Sequence, residues 1–221
     1  MNEVDQEIDE SEGYASFKDP GEASVEYPED PNLPAMTRAF LGREGQKLMS
    51  FDAETDYVRK MGIAAGNKRE FGTYIIDDVI IEPVKGKSNS CSPSLETERI
   101  LLKAKENSAK MVHYHPSGYS FGPEDLLSFS NVPAFSEMRI TTADGNIFIM
   151  RTLPKSIHPD SNTITRDYTM YQSFFNGVHM PKTRKGMTWD EARRNVSRDI
   201  CKKLGVLYNW DYVEVISHGR K

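Results

Sequence analysis

Three observations predict an α/β (α+β) fold. Short, largely apolar runs of strand length at 71–76, 79–83 and 110–112 alternate with longer segments of helical period. Ala143-Asp144-Gly145-Asn146 separates two further strand-like runs, 139–142 and 147–151, with the chemistry of a hairpin turn. Thr188 and Glu191 form a Thr-x-x-Glu capping box ahead of an apolar repeat at Ala192, Val196, Ile200 and Leu204. With 221 residues and 38% hydrophobic content, the chain supports one good domain plus additions, or two small ones.

In chain order, a helix around 53–61 precedes the strands at 71–76 and 79–83. A helix from about 95 to 107 follows, with Ser94 available as its cap and Ile100, Leu101, Ala104 and Ser108 along one face. Lys110-Met111-Val112 then leads a buried strand into His113-Tyr114-His115, which Pro116-Ser117-Gly118 ends with turn residues. Phe121-Gly122-Pro123-Glu124-Asp125-Leu126-Leu127 starts the next helix with Pro123 at the first helical position. Beyond the hairpin, residues 155–221 read as a helical C-terminal extension. Its one clear helix starts at Thr188, with Met187 placed to staple onto Ala192 and Gly205 placed to end it; 211–216 closes it as a strand.

The densest chemistry lies between 113 and 125. Strand side chains alternate between faces, so His113 and His115 share one face and Tyr114 takes the other. Asp125, in the first turn of the following helix, is placed to face back toward them. Two imidazoles and one carboxylate leave a fourth tetrahedral position open, the arrangement of catalytic rather than structural zinc sites, where the pKa of a water falls to about 7. Taken singly, each residue has a plainer reading. The helix macrodipole favours an acidic residue in a first turn, and histidines at i, i+2 also occur as half-buried polar side chains. The combination carries the metal reading.

His113-Tyr114-His115-Pro116, with Asp125 ten positions after His115, resembles the motif of the JAMM (JAB, MPN+) zinc metalloproteases. The His-x-His-Pro-Ser-Gly form is similar to the RadC branch of that superfamily. Glu70, in Arg69-Glu70-Phe71-Gly72, stands 43 positions before His113, in the place of the family's upstream Glu. The resemblance covers roughly residues 45–153. It implies a JAMM/cytidine-deaminase-like mixed β-sheet flanked by helices, with Zn2+ held by His113, His115 and Asp125 and Glu70 as general base. It further implies hydrolysis of a peptide or isopeptide bond at the C-terminal tail of a ubiquitin-like protein, captured in extended form along a strand edge. Two departures stand out. The loop between His115 and Asp125 is one residue shorter than the family pattern, and Gly122 occupies the position of a Ser whose hydroxyl helps stabilise the oxyanion. Losing one such donor costs about 10²–10³ in rate; Ser120, Ser117 or a backbone N–H at the helix start are the candidate substitutes. Residues 126–138 leave no room for an insertion that reads the linkage of a ubiquitin chain, so linkage selectivity is not expected. Two other functional readings remain open: a JAMM-like binding or scaffold module that has lost catalysis, and a RadC-like protein acting on nucleic acid.

Charge is distributed unevenly along the chain. The net charge is −5, yet residues 1–31 carry eleven acidic side chains against Lys18 alone, which leaves the remainder at +5. Residues 1–34 read as a disordered acidic tail: a solvated solubility tail, a lure for a basic partner, or a cover for the chain's own basic surface. Arg193, Arg194, Arg198, Lys202 and Lys203, with Lys182, Arg184 and Lys185 upstream, form either the solvent side of an amphipathic helix or a surface for nucleic acid or an acidic partner. No segment resembles a signal peptide and no apolar run reaches the ~20 residues of a membrane span, so a soluble, cytoplasmic protein without membrane partners is expected. Two cysteines build neither a disulfide framework nor a Cys-based zinc site; Cys201 reads as core, and Cys91 has no paired base nearby. His158, His179 and His218 read as surface residues.

Overall fold

The computed structural model describes residues 51–76, 79–86 and 91–217; the acidic tail assigned to 1–34 and His218 lie outside them. The described elements are α1 (Phe51–Ala64), β1 (Phe71–Ile76), β2 (Val79–Lys85), α2 (Leu95–Lys103), β3 (Ala109–His115), α3 (Pro123–Asn131), β4 (Phe135–Thr142), β5 (Ile147–Thr152), α4 (Ser161–His179), α5 (Trp189–Tyr208) and β6 (Trp210–Val215). The strands form one mixed sheet in the order β2-β1-β3-β4-β5-β6. β3 and β4 run parallel, and every other neighbouring pair is antiparallel.

Alternation along the strands divides the apolar side chains between two layers. On one face Phe71, Ile75, Val112 and Tyr114 meet Tyr57, Val58 and Met61 of α1. On the other, Tyr74, Met111, Met138, Ile140, Phe148 and Met150 pack beneath α3, α4 and α5, which contribute Leu126 and Phe129, Ile164 and Tyr168, and Ile200 and Leu204. A fully buried side chain of this kind is worth about 1.5–3 kcal/mol relative to an exposed one.

Helix α1 is held to its face by one buried cation. Arg139, 1% exposed, donates through Nη1 to Glu54 at 3.1 Å, to Thr55 Oγ1 at 2.8 Å and to the Phe51 carbonyl at 3.1 Å. Its other amino group binds Glu137, and the guanidinium lies 3.5 Å from the Phe51 ring centre. Removing one partner from such a buried pair leaves an uncompensated charge and costs about 3–5 kcal/mol. The helix also approaches closely enough that a Cβ on Gly62 would stand 2.2 Å from the Tyr114 ring.

Several elements differ from the sequence-based expectation. Helix α2 ends at Lys103 rather than near 107. Asn107 takes a left-handed φ of 59°, and Ser108 folds back to donate from its N–H and hydroxyl to the Lys105 carbonyl, so Ser108 is not on the helix face. Helix α5 runs past Gly205 to Tyr208, where left-handed Asn209 returns its N–H to the Gly205 carbonyl. Gly205 is a packing residue: a Cβ there would lie 3.0 Å from the Trp210 carbonyl oxygen. Helix α4 was not anticipated; Asp160 caps it, accepting the Thr163 N–H at 2.9 Å. The strand expected at 211–216 is present as β6 and completes the sheet beside β5, while Val196, Ile200, Leu204 and Trp210 of the C-terminal region share a core with Phe121 and Leu126. Among the described residues, no helix is long and apolar enough to cross a membrane.

Gly62→Ala improves intrinsic helix propensity by about 1 kcal/mol but drives a methyl into a fixed ring, an overpacking cost of typically 1–3 kcal/mol or more. Urea denaturation is expected to show a net loss of stability for this variant. A gain would contradict the close packing of α1 on Tyr114.

Candidate metal centre

His113 and His115 lie on the face of β3 that also carries Met111, while Tyr114 points under α1, its hydroxyl donating to Asn67 Oδ1 at 2.6 Å. Across the sheet, Gly72 of β1 pairs with His113. A Cβ on Gly72 would stand 2.8 Å from Cys91 Sγ and 3.1 Å from His113 Cβ, so glycine at this register makes room for the imidazole and the thiol together. Glu70, two positions earlier, reaches the same face by the period of two and is 7% exposed.

Asp125 arrives from the crossover between the parallel strands. Gly122 caps α3 in an extended conformation (φ −84°, ψ 177°), and its N–H donates to Asp125 Oδ2 at 2.7 Å, with Pro123 opening the helix. This bond turns the carboxylate back toward the strand. Asp125 Oδ1 lies 3.1 Å from His113 Nε2, Oδ2 lies 3.5 Å from His115 Nε2, and the two Nε2 atoms are 3.0 Å apart. Glu70 Oε1 stands 3.8 Å from His115 Nε2, adjoining the group.

His113, His115 and Asp125 form a cluster able to hold a metal ion, with one donor atom from each within 4.8 Å of the others. The spacing suits one ion: four-coordinate bonds of about 2.0–2.1 Å place ligand atoms about 3.3 Å apart, against the 3.0 and 3.1 Å found. The tautomer of His115 suits it too. His115 Nδ1 lies 3.1 Å from the Tyr119 carbonyl, which can only accept, so the proton belongs on Nδ1 and the Nε2 lone pair faces the cluster.

The electrostatics follow from burial among like and unlike charges. Burial lifts the Glu70 carboxyl to about 7; His113 opposes the shift, and Asp125 and Glu124 add to it. Burial pushes His115 down to about 4 against the pull of Asp125. His113 is disfavoured as a cation by burial, but the charges of Asp125 and Glu70 outweigh this and raise it. Burial also opposes ionisation of Asp125, but His113, His115 and the Gly122 N–H hold it down to about 2. Glu70 is therefore near half-ionised at neutral pH while Asp125 remains a carboxylate.

The other residues singled out from the sequence fall elsewhere. Ser120 is buried, its hydroxyl 2.9 Å from the Tyr212 hydroxyl and 3.6 Å from Cys201 Sγ. Ser117 is exposed, and its Oγ accepts the Tyr119 N–H at 3.5 Å. Cys201 is core, as expected, and burial pushes its thiol up to about 12. His179 is not a surface residue: it is 7% exposed, and its Nε2 lies 2.7 Å from Asp199, a partner on another helix. The basic side of α5 is partly neutralised, since Arg198 and Lys202 both pair with Glu214 of β6. Sequence reasoning missed the Tyr119 carbonyl and the Gly122 amide, backbone groups that no side-chain identity marks. A glycine inside a strand pattern, which signals close approach of another group, was the available sign for Gly72.

Comparisons with protein-family models, with curated proteins and with solved structures find no match to this chain.

The raised pKa of Glu70 makes stability pH-dependent. A carboxyl that ionises at about 7 when folded and at 4.5 in the reference state stabilises the fold fully below about 4.5, and that stability is lost as pH rises through about 7. In chelator-treated protein at pH 8, Glu70→Gln is expected to be more stable than wild type by up to about 3 kcal/mol, with little difference near pH 4.5. Parallel denaturation curves for the two proteins across that range would contradict the burial of Glu70 as a strained carboxyl.

Proposed function

We propose that this protein is a zinc-dependent peptidase or isopeptidase of the JAMM type, with a JAMM-like fold around the sheet that carries the histidines. The observation that carries the reading is the meeting of Glu70, 43 positions upstream of His113, with the cluster, 3.8 Å from His115. Two imidazoles and one carboxylate are the donor set of an open catalytic zinc site, and Zn2+ held there would polarise a scissile carbonyl and acidify a water. His113 and His115 offer Nε2, and Asp125 offers a carboxylate oxygen kept ionised by its neighbours. Glu70 accepts the proton of the attacking water and later delivers it to the departing amine. The substrate is an extended chain, with the C-terminal tail of a ubiquitin-like protein the best fit. It would pair along a sheet edge such as β2, next to the strand that begins after Glu70.

One observation favours a weaker enzyme or a binding module on the same fold. Gly122 supplies no hydroxyl, Ser120 Oγ is bonded to Tyr212 and Cys201, and Ser117 Oγ to its own loop, so among the described residues no serine hydroxyl of the segment is hydrogen-bonded to the cluster. A backbone N–H at the start of α3 is the remaining oxyanion donor. The nucleic-acid reading has less support, because Arg198 and Lys202 are occupied by Glu214.

Turnover of peptides carrying ubiquitin-like tails, measured on zinc-loaded wild type, Glu70→Gln and Gly122→Ser, separates the readings. Glu70→Gln is expected to keep its metal and lose at least about 10²-fold in kcat. Gly122→Ser is expected to fold normally, since a Cβ there meets only ordinary contacts at 3.5 and 3.6 Å, and to raise kcat by up to about 10²-fold. Turnover confined to Gly122→Ser would establish the binding-module reading. Wild-type turnover by Glu70→Gln would remove Glu70 from the mechanism.

A further inference from the structure

Helix α5 is pinned along the loop that joins the two histidines to Asp125. Tyr119 donates its hydroxyl to Asp190 at 3.3 Å, Ser197 donates to the Phe121 carbonyl at 3.5 Å, and Cys201 Sγ contacts the same carbonyl at 3.7 Å. Positions 190, 194, 197 and 201 lie on one helix face. The remaining member of that face is Arg194, whose guanidinium covers Gly118, three residues beyond His115. A Cβ on Gly118 would stand 3.7 Å from Nη2 and 3.8 Å from Cζ and Nε. Gly118 has a φ of +71°, where glycine is favoured, so the loop offers bare backbone to the guanidinium.

Arg194 differs from Arg198 and Lys202 in having no side-chain partner among the described residues. Arg198 and Lys202 are paired with Glu214. Among the described residues, no hydrogen bond or ion pair reaches Arg194, and its Nε is buried without an acceptor. Glu191 is close enough to feel its charge, but its Oε2 is held by the Thr188 N–H and hydroxyl and the carboxylate makes no ion pair with Arg194. A buried N–H without an acceptor is costly, and the two amino groups of the same guanidinium, unbonded but not buried, are open to an anion.

We propose that Arg194 is the anion-recognition residue of this centre, binding a carboxylate of the peptide substrate so that α5 selects chains with a carboxylate close to the bond cleaved. The inference names the substrate class of the peptidase reading and rests on it. A single planar guanidinium matches a carboxylate in bidentate geometry. Asp190 and Glu191, in the preceding turn, weigh against the polyanionic backbone of a nucleic acid.

Nuclear magnetic resonance titration of the full-length protein, zinc-loaded and again after chelation, tests this with three peptides. They are N-acetyl-Gly-Gly with a free terminal carboxylate, its C-terminal amide, and an amide-capped peptide with one aspartate. Wild type is expected to bind at least one carboxylate peptide tenfold or more tighter than the amide, with a shift of the Arg194 Nε–H resonance. Whichever carboxylate peptide is preferred identifies a chain terminus or a side chain as the source. Arg194→Gln is expected to abolish the preference, and Arg193→Gln, at the exposed neighbour, to leave it intact. Equal binding of the amide by wild type, an unmoved Arg194 resonance, or a preference that survives Arg194→Gln would overturn the proposal. Failure to bind zinc or to hydrolyse peptides would defeat the peptidase reading while leaving the result in chelated protein readable.

Discussion

The parallel pairing of β3 with β4 is the constraint from which the candidate site follows. Adjacent parallel strands cannot be joined by a tight turn, so the chain must leave the end of β3, cross one face of the sheet and return. One face is filled by α1, fixed by Arg139 and by the approach of Gly62 to Tyr114. The crossover takes the other face, toward which His113 and His115 project, and the first turn of α3 delivers Asp125 to them. On the far side of β3, the antiparallel register of β1 sets Gly72 opposite His113 and brings Glu70 to the same group.

This convergence runs against the ordinary economy of folding. Two imidazoles and two carboxylates are drawn together with little solvent exposure, and their ionisation equilibria shift in opposite directions: Glu70 up to about 7, Asp125 down to about 2 and His115 down to about 4. Strained, polar and buried arrangements of this kind concentrate at functional sites. A cation among the donors would offset the repulsion and couple its binding to the stability of the fold. The C-terminal region has a part in the same design, since α5 lines the loop between His115 and Asp125 and β6 closes the sheet.

Much of this was legible in the sequence, for reasons that differ from residue to residue. The period of two on a strand placed His113 and His115 together, and a proline-opened helix placed Asp125; both are local rules that the tertiary structure did not disturb. Glu70 carried no local mark, and only the resemblance of its spacing singled it out. Helix α4 was hidden in a polar stretch rich in Thr, Ser and Asn, although Asp160 as cap and the spacing of Ile164, Tyr168 and Phe175 were present. Gly205 looked like a helix stop because it follows an apolar repeat; it is in fact demanded by the carbonyl of Trp210, a contact made by the returning chain. His179 looked solvated because its partner, Asp199, is twenty positions away on another helix.

The central claim is that His113, His115 and Asp125 together bind one metal ion. Elemental mass spectrometry on tag-free protein, incubated with zinc and freed of excess, measures it directly in wild type and in Asp125→Ala. The account predicts close to one zinc per wild-type chain and a clear loss in the variant. A folded wild-type protein that retains no metal, or a variant that retains as much as wild type, would contradict it.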